Sequence, residues 1–368
     1  MVCVAAFIIL CLISVVVGFL SIFKRDIGAK WWKVFKKAWH CVFKKVRLQK
    51  CDTNFKDDVK NTILKKVILR RPKWVKPISI AVEVLSVLIV LVTIWSIVIA
   101  IKSLLALWVF GTCNVSQPSQ CSLGAEVCSI DQAEPNNIFE KLGRGFGEWG
   151  EIFSHIPDRL KTWSADDFDI TTVATLGNPS GSPVIEIIDP GCSVCMQSYR
   201  NLKNDQGFLG SHYIKFTPYP IELADGTYKF KNSGLLTCYL YATALVHADP
   251  LSHVEGVAIS TPISSDSYSS RLLDRLFTER NSEGINYQSV FNDHLSTNEA
   301  EELLRSWLKS WGASDEDVEK IATLAHSDSV DRILAHTKEI VEQEINAKGI
   351  PLMIADGRKT SGLFRSSQ

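Results

Sequence analysis

The sequence predicts an α/β domain with a helical insertion, held behind two membrane-spanning helices and an amphipathic tether. Three observations carry that expectation. Two long apolar runs frame a basic block near the N-terminus. After Thr171, short apolar strand candidates alternate with stretches of helical periodicity. At one strand-to-helix junction stands a Cys-x-x-Cys pair, Cys192-Ser193-Val194-Cys195.

Residues 2–23 are apolar apart from Ser and Gly, about the ~20 residues that a spanning helix needs. Residues 78–101 form a second run, with Glu83 and Lys102 marking its ends and apolar residues continuing through Phe110. The first run lacks a basic leader and a small-residue cleavage site, so it reads as an anchor rather than a removed signal. A buried core hairpin is the competing reading, but runs this long and charge-free rarely belong to soluble domains. Between Lys24 and Lys76 lie 18 Lys/Arg and four Asp, while the whole chain carries 40 residues of each sign. Zero net charge thus hides a strongly basic block and an equally acidic remainder. Short basic loops stay in the cytoplasm, which puts both chain ends outside.

The expected layout is a transmembrane helix at 1–23, a basic cytoplasmic loop at 24–77 and a second transmembrane helix at 78–110. A cysteine-bearing tether outside the cytoplasm follows at 111–170, then the α/β domain at 171–368, with its helical insertion at about 229–348. Within the basic loop, Trp32, Phe35, Trp39, Val42 and Val46 recur at helical spacing opposite lysines. Such a basic amphipathic helix suits the anionic inner membrane surface. A nucleic-acid patch is the other reading, and a position between two spans favours lipid.

The tether carries Cys113, Cys121 and Cys128. A second amphipathic stretch runs through Ile138, Phe139, Leu142, Phe146, Trp149, Ile152, Phe153 and Ile156, interrupted by four glycines that weaken a straight helix. It either packs on the outer domain or lies at the outer membrane interface. Residues 171–176 then read as a strand, 177–182 as a loop, 183–188 as a buried strand, 196–203 as a helix and 213–217 as a third strand. Residues 235–345 are helical in pattern, with Ser296-x-x-Glu299 as a capping box, Gly312 as a stop and Ser314-x-x-Asp317 opening another helix. Residues 352–355 form a strand, Asp356-Gly357 a turn, and 359–364 its hairpin partner.

The chemistry centres on the cysteine pair. Cys192 falls at a helix N-terminus, where unpaired backbone N–H groups and the positive end of the helix dipole stabilise a thiolate. Cys195 lies one turn deeper, close enough for a disulfide, and the thiolate is the species that attacks disulfides. Six cysteines would lie outside the cytoplasm, where oxidising conditions permit disulfides. Cys113, Cys121 and Cys128 fit no zinc-ligand spacing, and HExxH is absent. With Cys238 they make four cysteines and three possible pairings. Two tether cysteines are expected to form a structural disulfide, and a third is available as a redox partner for Cys192, although no spacing requires it. Cys238, among leucines, reads as a small buried hydrophobe.

Two signatures, Gly177-x-Pro179 with Pro183-Val184-x-x-x-x-Asp189-x-x-Cys192-x-x-Cys195, and Gly349-Ile350-Pro351-Leu352-Met353-Ile354-Ala355-Asp356-Gly357-Arg358, occur in this order with helices between them. In this they resemble the DsbA-like branch of the thioredoxin superfamily, over about half of the chain. The resemblance implies a thioredoxin-like fold with Cys192 attacking and Cys195 resolving. It implies a cis-proline at Pro351 that aims the backbone of Ile350 at a substrate, and a buried acid, Glu186, relaying protons to the deeper thiol. Taken as residues alone, Pro351 is also compatible with an ordinary turn, and Glu186 with a solvent-facing place on an edge strand.

Two departures stand out. Ser193-Val194 replaces the Pro-His of strongly oxidising relatives, which removes a positive charge beside Cys192 and makes the disulfide less oxidising. Oxidase, isomerase and reductase all stay open. The closing helix of the fold is also missing, and the 138–156 stretch is expected to cover that face.

The function implied is a membrane-tethered thiol–disulfide oxidoreductase of the bacterial cytoplasmic membrane, exchanging disulfides with extracytoplasmic proteins. Cys192, Cys195, Pro351 and Glu186 would be catalytic, with Ile350 and Pro351 binding substrate. No cofactor or metal is needed, because the cysteine pair holds the electrons. The implied partners are the lipid bilayer and a membrane oxidase of the DsbB or vitamin K epoxide reductase type, or a membrane reductase; nucleic acid is not among them. The alternative is a non-catalytic binding module with a structural Cys192–Cys195 disulfide. A zinc site on these two cysteines and tether cysteines is a third reading.

Overall fold

A strand buried on both faces organises the C-terminal half of the chain. In this computed structural model, which describes residues 75–118, 121, 127–130, 137–247 and 266–365, the chain divides into the units Met1–Ile101 and Lys102–Gln368. The first apolar run and the basic amphipathic helix lie outside the described residues.

The first described element is helix α1, Val75–Phe110. Its segment Leu91–Phe110 is long and apolar enough to cross a membrane. Large apolar side chains from Ile80 to Ile101 are exposed, among them Leu88, Leu91, Trp95 and Ile97. That stretch of 22 residues spans roughly 33 Å, close to the ~30 Å hydrocarbon core of a bilayer. After Lys102 the helix is buried on one side only, with Leu104 and Trp108 still exposed. Ala106, Val109 and Phe110 are buried with Val115 and Ile152 in a small cluster of their own. Lys102 pairs with Glu148, which also accepts from Ser116 Oγ at 2.5 Å.

Strand β1, Cys128–Ser129, and helices α2, Ile138–Ser154, and α3, Ile156–Leu160, lead into the main sheet. Strands β2, Ala174–Gly177, and β3, Ser182–Ile188, precede helices α4, Ser193–Asn204, and α5, Gln206–Ser211, and strand β4, His212–Pro218. The helical insertion follows as α6, Ser233–His247, α7, Tyr268–Thr278, and α8, Tyr287–Ser289, which continues as a π turn over Val290–His294. It ends with α9, Thr297–Ser310, α10, Asp315–Ala325, and α11, Asp328–Glu339, the last running into a second π turn. Strands β5, Gly349–Ile350, β6, Leu352–Ala355, and β7, Arg358–Ser361, close the chain.

The sheet order is β2-β4-β3-β6-β7, with β3 and β4 parallel and every other pair antiparallel. A parallel pair needs a crossover, and α4 with α5 supplies it. Val184, Ile185, Ile187 and Ile188 are all buried, as expected for a central strand covered on both faces. The β6–β7 turn uses Asp356 and Gly357, both at positive φ, the conformation that a two-residue hairpin turn requires. The last strand is shorter than expected. Gly362 turns the chain at φ 109°, and Phe364 folds back so that its ring meets Phe208 and its carbonyl accepts from Asn201.

The 138–156 stretch, expected to cover a face of the α/β domain, has its described buried apolar contact elsewhere. In α2 the fully buried apolar side chain, Ile152, sits in the cluster at the end of α1, while Phe139 and Phe146 stay exposed.

The insertion helices start where their capping residues stand. Ser296 and Glu299 form the reciprocal capping box of α9, and the Ser314 side chain caps α10. Trp307 of α9 packs between Tyr287 and Phe291, with the Arg275 guanidinium 4.7 Å from its ring centre. Tyr241 donates to the carbonyl of Pro218, and Tyr219 to Glu342, fastening the insertion to the end of β4. Replacing Trp307 with Ala leaves a large cavity beneath α8 and is expected to cost about 3–5 kcal/mol. A urea unfolding curve with an unchanged midpoint would show that this packing is dispensable.

Candidate active site

The turn between β3 and α4 is built around Asp189. Its carboxylate accepts from the backbone N–H of Gly191 at 2.7 Å and of Ile221 at 2.8 Å. The Asp189 backbone N–H in turn points at Cys195 Sγ, 3.4 Å away. Gly191 has no room for a side chain, since a Cβ there would come within 2.3 Å of Phe230. The helical insertion holds the same turn from outside. Gln288 donates to the carbonyls of Pro190 and Cys192, and Asn292 to that of Gly191.

Cys192 is the N-cap of α4, and its sulfur accepts from the backbone N–H of Cys195 at 3.5 Å. The helix terminus therefore faces this sulfur, as the spacing implied. Both cysteines are fully buried. They are not bonded to each other. Cys192 forms a disulfide with Cys128, across a Cα separation of 6.2 Å, and Cys195 is a free thiol. The reason is geometric: β1 pairs antiparallel with β5, placing Cys128 opposite Ile350 and Ser129 opposite Gly349. The N–H of Ile130 extends this ladder to the carbonyl of Lys348 at 3.1 Å.

The Ile350–Pro351 peptide is cis. Ile350 and Pro351 are buried, and Cys128 connects this loop to Cys192, being register partner of one and disulfide partner of the other. The two signatures, more than 150 residues apart in sequence, thus meet at one end of β3.

Glu186 lies on the central strand with 1% of its surface exposed, not on an edge. Its Oε1 accepts from Ser198 of α4 at 3.0 Å, while Oε2 has no partner. Burial pushes its pKa up to about 8, against the opposing Ser198 hydrogen bond. Burial also raises Asp189 to about 7, opposed by its two backbone donors, the Ser233 hydroxyl and the Lys229 charge. The Cys195 thiol is held well above its ordinary range by burial and, to a smaller degree, by the two carboxyl groups. A site with these properties keeps the deeper sulfur protonated until a neighbouring carboxylate or solvent takes its proton.

Several residues here carried no sequence-level role. Lys229 donates to both the carbonyl and the hydroxyl of Ser129, at 2.7 and 3.0 Å. Gln288 and Asn292 belong to helical turns whose pattern says nothing of their amides. Asp189 stands in the first signature, but its part in holding the turn is not written there. Of the other cysteines, Cys113 and Cys121 form a disulfide, and Cys238 is a half-buried thiol raised by burial to about 11. Among the described residues, no group of three or more His, Cys, Asp or Glu side chains is placed to hold a metal.

No protein-family model matches the sequence, and no curated protein matches it either. Among solved structures, the chain is similar to a thioredoxin-like oxidoreductase from Silicibacter pomeroyi DSS-3, at 14% identity and a TM-score of 0.34, covering 52% of this chain and 83% of that one. It is similar to the thiol-disulfide exchange protein alpha-DsbA2 from Wolbachia pipientis, at 15% identity and 0.34, covering 52% and 80%. It is also similar to the MdbA protein, a thiol-disulfide oxidoreductase from Corynebacterium diphtheriae, at 13% identity and 0.32, covering 52% and 91%. What makes the domain after Thr171 a thioredoxin-like α/β fold is its own strand order, its parallel crossover through α4, and the meeting of Cys192 with the cis-proline loop.

Proposed function

We propose that the protein is a thiol–disulfide oxidoreductase of the DsbA-like type, tethered to the bacterial cytoplasmic membrane and acting on extracytoplasmic proteins. One observation carries this reading above the others. Cys192, at a helix N-terminus, holds a disulfide to an extended segment that pairs with the backbone of Ile350 beside a cis-proline. A free thiol, Cys195, sits one turn deeper. That is the arrangement of a mixed disulfide awaiting its resolving thiol.

In this mechanism Cys192 attacks a client disulfide, or accepts attack from a client thiol. Ile350 and Pro351 align the client as an added strand. Cys195 then displaces the client from Cys192, and Glu186 accepts the proton that Cys195 gives up when its own carboxyl is ionised, a fraction that grows toward pH 8. The electrons stay on the sulfurs, so no bound cofactor is required. A membrane oxidase of the DsbB or vitamin K epoxide reductase type, or a membrane reductase, would reset the pair. The exposed apolar length of α1 supports membrane insertion, and the basic 24–77 loop supports its cytoplasmic side.

The decisive experiment is trapping. Replacing Cys195 with Ala should accumulate mixed disulfides through Cys192, and Cys192→Ala should abolish exchange with a model disulfide. Exchange at the normal rate in Cys192→Ala would place the nucleophile elsewhere. Topology is checked with reporter fusions, where a fusion at residue 50 should report cytoplasm and one at residue 365 the outside. An outer domain found in the cytoplasm would remove the extracytoplasmic role.

Glu186 gives a pH signature. Its pKa is raised in the folded protein, so between about 4.5 and 8 the folded chain binds a proton that the unfolded chain releases. Stability therefore falls as pH rises through this window, and the loss, on the order of 4 kcal/mol, is complete above about 8. Glu186→Gln should flatten the pH dependence of the urea midpoint between pH 5 and 9. Asp189 contributes in the same direction to both proteins, so the difference isolates Glu186. Parallel pH profiles would mean that Glu186 is not protonated in the fold.

A further inference from the structure

The cysteine that reaches Cys192 from the tether occupies the place of a client. We propose that residues 127–130 are an internal client of this enzyme, whose Cys128 exchanges with Cys195 on the Cys192 sulfur to close and open the site. The inference rests on the oxidoreductase reading above and adds a third redox cysteine to it.

The contacts are those of a bound peptide rather than of a structural clip. The segment is extended and adds a strand to the edge next to the cis-proline, through Cys128 opposite Ile350 and Ser129 opposite Gly349. Gly349 permits the close approach, since a Cβ there would lie 3.2 Å from the Val127 side chain. Lys229 reads the residue after the cysteine twice, at its carbonyl and at its hydroxyl. With the segment docked, Cys192 is wholly buried and Cys128 nearly so, leaving an outside client no access to either sulfur.

The ladder is two residue pairs long, extended by the Ile130 N–H to the Lys348 carbonyl. Once the disulfide moves, so short a ladder, Lys229 and the packing of Cys128 and Ile130 on the core are what hold the described segment in place. A tethered segment competes at an effective concentration on the order of mM, so clients at lower concentration meet a site that is mostly occupied. The same contacts define the clients: unfolded segments presenting cysteine in extended conformation, with a small hydroxyl residue after it.

The exchange step balances without any co-reactant. Cys195 gives its proton to a base, and its thiolate attacks Cys192 Sγ. The Cys192–Cys195 bond forms as the Cys128–Cys192 bond breaks, and Cys128 leaves with the electron pair and takes up a proton. One disulfide is lost and one is gained, so the step is an isomerisation with no net oxidation or reduction.

The test uses the full chain in detergent, quenched with acid, alkylated and mapped by peptide mass spectrometry across a series of glutathione redox buffers. Two single-disulfide forms are expected, Cys128–Cys192 and Cys192–Cys195. Their ratio should stay constant across buffers, because their interconversion is redox-neutral. Cys195→Ala should retain the Cys128–Cys192 form alone. Cys128→Ser should raise the rate of exchange with a peptide disulfide at least tenfold. Ile130→Pro, which removes the N–H that bonds the Lys348 carbonyl, should also raise it with all cysteines present. A Cys128–Cys192 bond that never passes to Cys195 in any buffer would make it a static cross-link and overturn the proposal. Rates within twofold of the parent in both Cys128→Ser and Ile130→Pro, with Cys192→Ala inactive, would also overturn it while leaving the oxidoreductase reading intact. Exchange that survives Cys192→Ala would bring down both.

Discussion

The double pairing of β3 is the constraint on which the site depends. Its parallel partner, β4, forces a crossover, and that crossover puts the start of α4, with Cys192, just past the end of β3. Its antiparallel partner, β6, runs the other way, so the residues before β6 arrive at that same end. The register Ile187 opposite Leu352 places Ile350 and Pro351 beside the β3–α4 turn. Neither the cysteine pair nor the proline loop needs to find the other independently. A slip of one residue in β3–β6 pairing would turn every side chain of β6 to the opposite face and separate the two halves of the site.

Burial does the electrostatic work around this frame. Glu186, Asp189 and Cys195 are each withdrawn from water, and in each the same cause disfavours the charged form. A charge on either carboxyl also opposes ionisation of the Cys195 thiol. The partner set differs, however. Asp189 is held by two backbone donors and serves the turn, whereas Glu186 has one bonded and one orphaned oxygen. An orphaned buried acceptor is costly to maintain in a purely structural role. The contrast separates a carboxyl that shapes the turn from one with capacity left to exchange a proton.

Much of this was legible from local pattern. The apolar run 183–188, the cysteine spacing, the helix caps at Ser296 and Ser314, and Asp356-Gly357 each act within a few residues, and each stands where its pattern implied. The strand edges moved by one to three residues because pairing, rather than apolarity, ends a strand. In the tether, one internal disulfide and a third cysteine available to Cys192 were legible, but which cysteine goes where was not. β1 is two residues long, too short for any periodicity, and its partner lies more than 200 residues away. That Cys128, rather than Cys113 or Cys121, meets Cys192 follows from this pairing alone. The tail of α1 shows a related limit: its apolarity announced burial but could not say that Ala106, Val109 and Phe110 would meet Val115 and Ile152. Gln288, Asn292 and Lys229 act through single polar atoms aimed at backbone, which leave no mark in hydropathy.

The 64-residue separation of Cys128 and Cys192 ties redox chemistry to the stability of the fold. In an unfolded chain, closing so long a loop is disfavoured by roughly 4 kcal/mol of chain entropy, whereas Cys192 and Cys195 are already neighbours. Only the folded groove can bring Cys128 into competition. By reciprocity, whatever free energy docking lends to the Cys128–Cys192 bond, that bond returns to the native state. The native state is therefore more stable with the long loop closed than with the short one. On the proposed exchange, each opening of the site would give up part of that stability, so readiness to act and resistance to unfolding would be set against each other by the position of one cysteine.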